Sequence, residues 1–238
     1  MKIIGLSIIL LLLNSCSSTD SDNIKTKGIY ANYQLKILNN STAIETSLQS
    51  GGFTGTYLDL TSEDTLIVEV NGKEGVLKRD RGLLNQIYYE GVLKTNEPNT
   101  EVKIIFSREE SDEKLVSSIS LPDKLVISSG QNKNHSLDDT VIIKWKKSSV
   151  KGTKINIDSS ISCYNENNNT GSLSDRLDLA DNGQYSISLK SLYEDFKQDK
   201  NCEVTINVTR YKKGTIDSRF GSGDMRAFHS QKIKITIK

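Results

Sequence analysis

Apolar and polar positions alternate along most of this chain, in short runs separated by turn residues. Tyr30-Ala31-Asn32-Tyr33-Gln34-Leu35-Lys36-Ile37 has a mainly two-residue period and ends at Asn39-Asn40-Ser41, which predicts a half-buried strand. Further strands are expected at Ala43 to Leu48, Gln86 to Leu93, Val102 to Phe106 and Leu115 to Leu121. Leu66-Ile67-Val68-Glu69-Val70, then Asn71-Gly72, then Gly75-Val76-Leu77-Lys78 predicts a type I′ hairpin, because Asn and Gly tolerate positive φ. A second set follows, at Leu125 to Ile127, Thr140 to Trp145, Lys154 to Cys163, Gly183 to Leu189, Cys202 to Tyr211 and Lys232 to Ile237. Within it Val141, Ile143 and Trp145 share one face. Ser191 to Phe196 is the single short helix expected.

Pro122 falls between the two sets, and proline cannot donate a ladder hydrogen bond, so Leu121-Pro122-Asp123 is the expected boundary. Many short strands and little helix predict an all-β chain of two tandem sandwiches. Their expected ranges are 28–121 and 122–238. Trp145 precedes Cys163 and Cys202 instead of lying between them as in antibody domains, which favours a fibronectin type III-like arrangement over a strict immunoglobulin one.

The first residues break the pattern. Lys2 precedes an apolar run from Ile3 to Leu13, whose only non-aliphatic members are Gly5 and Ser7, and Asn14-Ser15-Cys16-Ser17-Ser18 ends it abruptly. A basic start, a short apolar core and a small residue before the cut describe a signal peptide, residues 1–15. The run is short for a membrane span, which takes about 20 apolar residues. The alternatives are a transmembrane helix with an incidental cysteine, or a soluble secreted protein cut nearby. The ending Leu13-x-Ser15-Cys16 resembles the lipobox of bacterial lipoproteins, with Asn14 as its one departure. That resemblance implies lipidation of Cys16 and anchoring in the cell envelope, with Ser17 favouring the outer membrane. Residues 16–27 then read as a lipidated flexible tether, since Ser17 to Asn23 is wholly polar.

With Cys16 assigned to lipid, Cys163 and Cys202 remain as a pair in a compartment where disulfides persist. They are expected to join neighbouring strands; a catalytic or metal-binding pair is the alternative, with only His135 and His229 to add imidazole. The 31 Lys and Arg balance 30 Asp and Glu, which argues against nucleic acid as a partner. The group Lys144, Lys146, Lys147, Lys151 and Lys154 reads as a solvated face and loop.

Gly55 to Val68 and Thr209 to Gly223 resemble a set of uncharacterised bacterial envelope lipoproteins and secreted proteins, as does the order of Leu-Pro boundary, tryptophan strand and paired cysteines. Ser218 departs from the proline more usual there. The resemblance implies envelope location and β-sandwich domains and transfers no catalytic residue.

The most unusual segment is Gly214 to Ala227, with Asp217, Arg219, Phe220, Asp224 and Arg226. One reading is a binding loop whose arginines take a carboxylate. The other is a long final hairpin, with Phe220 plugging the sandwich end and Asp217 bonding turn amides. Asp178 to Gly183 offers oxygen ligands but lacks the EF-hand pattern, and reads more simply as a turn. Asp138 and Asp139 are a loop pair of the kind glycoside chemistry uses, and His135 and His229 read as surface histidines. No Gly-x-Ser-x-Gly elbow or His-Glu-x-x-His helix is present, and no catalytic residue, metal or cofactor is expected. The expected role is a non-enzymatic, lipid-anchored envelope module that binds an unidentified envelope protein or surface ligand. The alternative is an envelope hydrolase of glycan or peptide, which would need a concave pocket with convergent carboxylates.

Overall fold

The computed structural model describes residues 18–61, 63–82, 86–129, 134–136, 138–164, 170–193 and 201–237. Its strands, in chain order, are β1 (Thr19–Asp20), β2 (Ile29–Ile37), β3 (Thr42–Ser50), β4 (Thr56–Asp59), β5 (Thr65–Val70), β6 (Lys73–Val76), β7 (Lys78–Arg81), β8 (Ile87–Leu93) and β9 (Glu101–Arg108). They continue as β10 (Glu113–Ser120), β11 (Asn134–His135), β12 (Thr140–Lys144), β13 (Lys154–Tyr164), β14 (Thr170–Ala180), β15 (Gln184–Ser188), β16 (Asn201–Lys213) and β17 (Ser222–Ile237). Helix α1 spans Leu189–Tyr193, and the rest of the helix expected to Phe196 lies outside the described residues.

The architecture is two β-sandwiches in tandem, the class the alternation predicts. One wide sheet runs β1-β4-β3-β2-β17-β16-β13-β14, with β7, β8 and β11 attached. The sheet β10-β9-β5-β6 covers its first part and the pair β12-β15 its second. Parity follows the pleat. On β2, Ile29, Ala31, Tyr33, Leu35 and Ile37 face the first core, while Tyr30, Asn32, Gln34 and Lys36 face outward. The β5–β6 turn places Asn71 at φ 51° and Gly72 at φ 73°, as its sequence requires. In the second body Val141, Ile143 and Trp145 are buried together with Ile155, Ile157, Val204, Ile206 and Val208.

The apolar clusters divide between Leu121 and Leu125, with one exception that revises the second expected range. Phe220, Met225 and Ala227 belong to the first core. Strand β17 begins beside β2, paired in parallel from Ser222↔Tyr30 to Phe228↔Lys36. It continues along β16 into the second body as far as Cys202↔Ile237. One strand therefore contributes to both cores. Its inward residues keep a single parity throughout: Met225, Ala227, Ile233, Ile235 and Ile237.

The N-terminal segment also differs from expectation. Between Thr19 and Gly28 it is folded onto the first body, not a flexible tether. Thr19 and Asp20 pair in parallel with Leu58 and Asp59. Ser21 is fully buried and Thr26 nearly so. The buried Arg108 guanidinium donates to the carbonyls of Ser21 (3.0 Å) and Ile24 (2.9 Å) and to Thr26 Oγ1 (3.1 Å), with Asp64 3.6 Å from its Nε. A buried charge is stable only with such partners, and here they bind a polar stretch that has no apolar period of its own.

Candidate binding face

The unusual C-terminal segment divides into two parts with different duties. Asp217 is a turn organiser. Its carboxylate accepts from the amides of Val116 (2.8 Å) and Arg219 (3.0 Å) and from the Arg219 guanidinium (2.7 Å). The Arg219 side chain holds the Asp217 carboxyl well below the ordinary carboxylate range, with those amides acting the same way against a smaller effect of burial. Arg219 also donates to the Lys114 carbonyl. Phe220 stacks on Phe106 at 6.0 Å between centroids and meets Tyr33 edge-on at 6.5 Å. Asp217, Arg219 and Phe220 thus form the structural hairpin reading of this segment.

Asp224 and Arg226 lie instead on the outward face of the wide sheet. Arg226 Nε is 2.7 Å from Asp224 Oδ2, and its guanidinium lies 5.6 Å above the Tyr211 ring. The register sets further polar residues beside them in two rows, four residues apart along β17. Asp178, Asn156, Thr209 and Ser230 are successive partners from β14 through β13 and β16 to β17, and Arg226 is opposite Gln34 on β2. Together with Asn207, Asp158 and Phe228 they line an open groove of about 560 Å³. Two further depressions adjoin it along Gln34, one beside β3, β7 and β8 and one beside Phe53.

Several side chains of this groove are held by hydrogen bonds within the sheet. Tyr211 Oη donates to Asp178 at 2.7 Å, Thr209 and Ser230 hydroxyls are 2.7 Å apart, and Gln34 Nε2 donates to Asn32 Oδ1 at 2.7 Å. Asn156 Nδ2 donates to the Leu177 carbonyl at 3.2 Å. In the adjoining depression beside Phe53, burial and the nearby Asp224 carboxylate raise the Tyr30 pKa, partly offset by Arg226. Amides and hydroxyls fixed on strands present donors and acceptors at set spacings, which suits recognition of a polar surface.

The remaining candidates are dispersed. Cys16 lies outside the described residues. Cys163 and Cys202 form a disulfide and sit directly opposite one another on β13 and β16, within one domain. Asp178 serves Tyr211, and Asp181 is buried against Arg210, so the two carboxylates of that turn have separate duties. Among the described residues no cluster of three or more His, Cys, Asp or Glu side chains is grouped as for a metal. Asp138 pairs with Lys190 at 3.3 Å, and Asp139 accepts from the Ser136 amide and contacts His135. His229 is half-buried instead of exposed, and burial, then Lys124 and Arg210, lower its pKa. Lys144, Lys146, Lys147, Lys151 and Lys154 are all exposed, as expected.

Sequence reasoning missed Gln34, Asn156, Asn207 and Tyr211 as one surface. The signal was present as the polar parity of β2, β16 and β17, but only sheet register aligns those parities across strands that are distant in sequence.

No protein-family model matches the chain, and no curated protein sequence matches it. Solved structures that resemble it include the FN1-FN3 domains of chicken CNTN1, at 14% identity and a TM-score of 0.24, covering 86% of this chain and 65% of that one. A cytokine receptor complex matches at 8% identity and TM-score 0.31, covering 85% of this chain and 94% of that one. A bacterial ice-binding adhesin, described as retained at the host cell surface, matches at 9% identity and TM-score 0.23, covering 88% of this chain and 65% of that one. The chain thus spans 65% of the length of the first of these.

Proposed function

We propose that this protein is a non-enzymatic binding module of the bacterial cell envelope, anchored in the outer membrane through a lipid on Cys16. Its binding surface is the outward face of the wide sheet. The observation that carries this reading is the continuity of that face: β17 runs through both bodies, so its outward residues Asp224, Arg226, Phe228 and Ser230 form one surface with β2, β16 and β13. Its charged side chains are of both signs, Asp158 and Asp178 with Lys213 and Arg226; Arg226 pairs with Asp224, and Asp178 accepts from the Tyr211 hydroxyl. They are therefore placed as hydrogen-bonding groups for an uncharged or balanced polar partner.

The test is photo-cross-linking in the native cell, with the photoreactive residue at Gln34 or Asn207 in the groove. Val76 and Val126, 66% and 58% exposed and outside it, are the control positions. Adducts confined to the groove positions are expected. Equal yields at all four positions, or adducts at the controls alone, would reject the face.

A further inference from the structure

We infer that one end of the first body is a membrane-contact pole, with Phe53 entering the bilayer interface beside the anchor; this rests on the proposed lipidation of Cys16. The direction of the chain supplies the argument. Strand β1 runs parallel to β4 with Thr19 opposite Leu58, so the chain before Thr19 leaves the sheet at the end where β4 begins, near Thr56 and Gly55. Ser18 is the first described residue. Cys16 is two residues before it, a reach of at most about 7 Å even when fully extended. A lipid on Cys16 is therefore confined to this end of the molecule, whereas a flexible tether of a dozen residues would have left every orientation open.

The same end carries the loop between β3 and β4. Gly51 and Gly52 have φ of 85° and 101° and hold Phe53 out from the sheet, where it is 65% exposed. Tyr30 supports it edge-on at 5.9 Å. The Gly51 amide donates to the Gly28 carbonyl at 3.4 Å, which brings the exposed Lys27 beside the loop. An exposed aromatic with a tyrosine and a lysine is the composition that settles at headgroup level. Acyl chains supply the anchoring and the aromatic fixes orientation. On the opposite sheet, the turn between β9 and β10 places Glu109, Glu110 and Asp112 at this end as well, so the fitting surface is zwitterionic rather than anionic. Strand β17 starts at this pole and ends in the second body. The second body therefore points away from the membrane.

The test uses the full lipidated chain in phosphatidylcholine vesicles with brominated acyl chains. Phe53→Trp adds a reporter to the one native tryptophan, Trp145, which is buried in the distal body and serves as an internal control. The expected result is flotation with the vesicles, loss of most of the emission added at position 53 with a blue shift, and unchanged Trp145 emission in the parent chain. A chain that floats with position 53 unquenched overturns the pole and leaves the anchor standing. A chain that does not float overturns both.

Discussion

Arg210 Nε lies 2.8 Å from Asp181 Oδ2, and the two side chains are 1% and 5% exposed. The same arginine donates to the carbonyls of Lys124, at 2.9 Å, and of Lys146. Asp181 also accepts from Trp145 Nε1 at 2.8 Å and Thr153 Oγ1 at 3.2 Å. The pair thus ties the segment that follows the Leu121-Pro122 boundary to the core of the second body. Removing one member of a buried pair leaves the other uncompensated, at a cost of about 3–5 kcal/mol. Asp181→Ala is expected to lower the urea midpoint accordingly, and adding Arg210→Met should restore part of the loss. Additive losses would show that the two residues act separately.

The disulfide closes a 39-residue separation between strands that already pair in register. In the chain-entropy model this constraint is worth ~4 kcal/mol. The Cys163→Ala, Cys202→Ala double variant is expected to lose stability on that order in chemical denaturation. The wild-type protein should show no alkylatable thiol at these positions, folded or unfolded, until it is reduced, because the two sulfurs are bonded to each other.

Asp217 gives the first body an acid-sensitive turn. Its carboxyl is held below the ordinary range chiefly by Arg219. A depressed folded-state pKa adds stability that is present above the unfolded value of about 3.9 and is lost as pH falls through the folded value. The difference in unfolding midpoint between wild type and Asp217→Asn should therefore be greatest near neutrality and shrink below about pH 4. A difference independent of pH would reject the ion pair as its source.

Close backbone approach fixes β17 against β2. A Cβ placed on Gly223 would come within 2.4 Å of the Ala31 carbonyl oxygen. Gly223→Ala forces the strands apart and should destabilise the protein by about 1–3 kcal/mol, the usual range for overpacking. Urea denaturation checks it, and an unchanged midpoint would show that the pairing is looser than this contact requires.

The sequence revealed elements wherever burial alternates without interruption. The Asn71-Gly72 hairpin, the Val141-Ile143-Trp145 face and the strand at Tyr30 to Ile37 were all legible. The run at Leu125 to Ile127 is not a strand, only a single bridge from Ile127 to Trp145. Strand β17 was visible only from Lys232 onward, because its earlier inward residues include His229 and Gln231, and the Gln231 side chain accepts the Ile127 amide at 2.9 Å. Strand β14 has no counterpart among the expected strands, and its last residues from Asp178 read as part of a turn, because Ser and Asp interrupt its few apolar positions; pairing with β13 supplies what its composition does not. The folded N-terminal segment was hidden for a related reason. A buried arginine from residue 108 holds it, and no local pattern announces a partner so distant in the chain.

The central claim is that β17 joins both bodies into one unit bearing a single face. Urea unfolding followed at two sites tests it most directly. Trp145 fluorescence reports the second body, and hydrogen exchange at the Ala31 and Tyr33 amides reports the first. Coincident midpoints at the two sites are predicted. Loss of one signal while the other persists would contradict the account, and would make the shared strand a seam between independent domains.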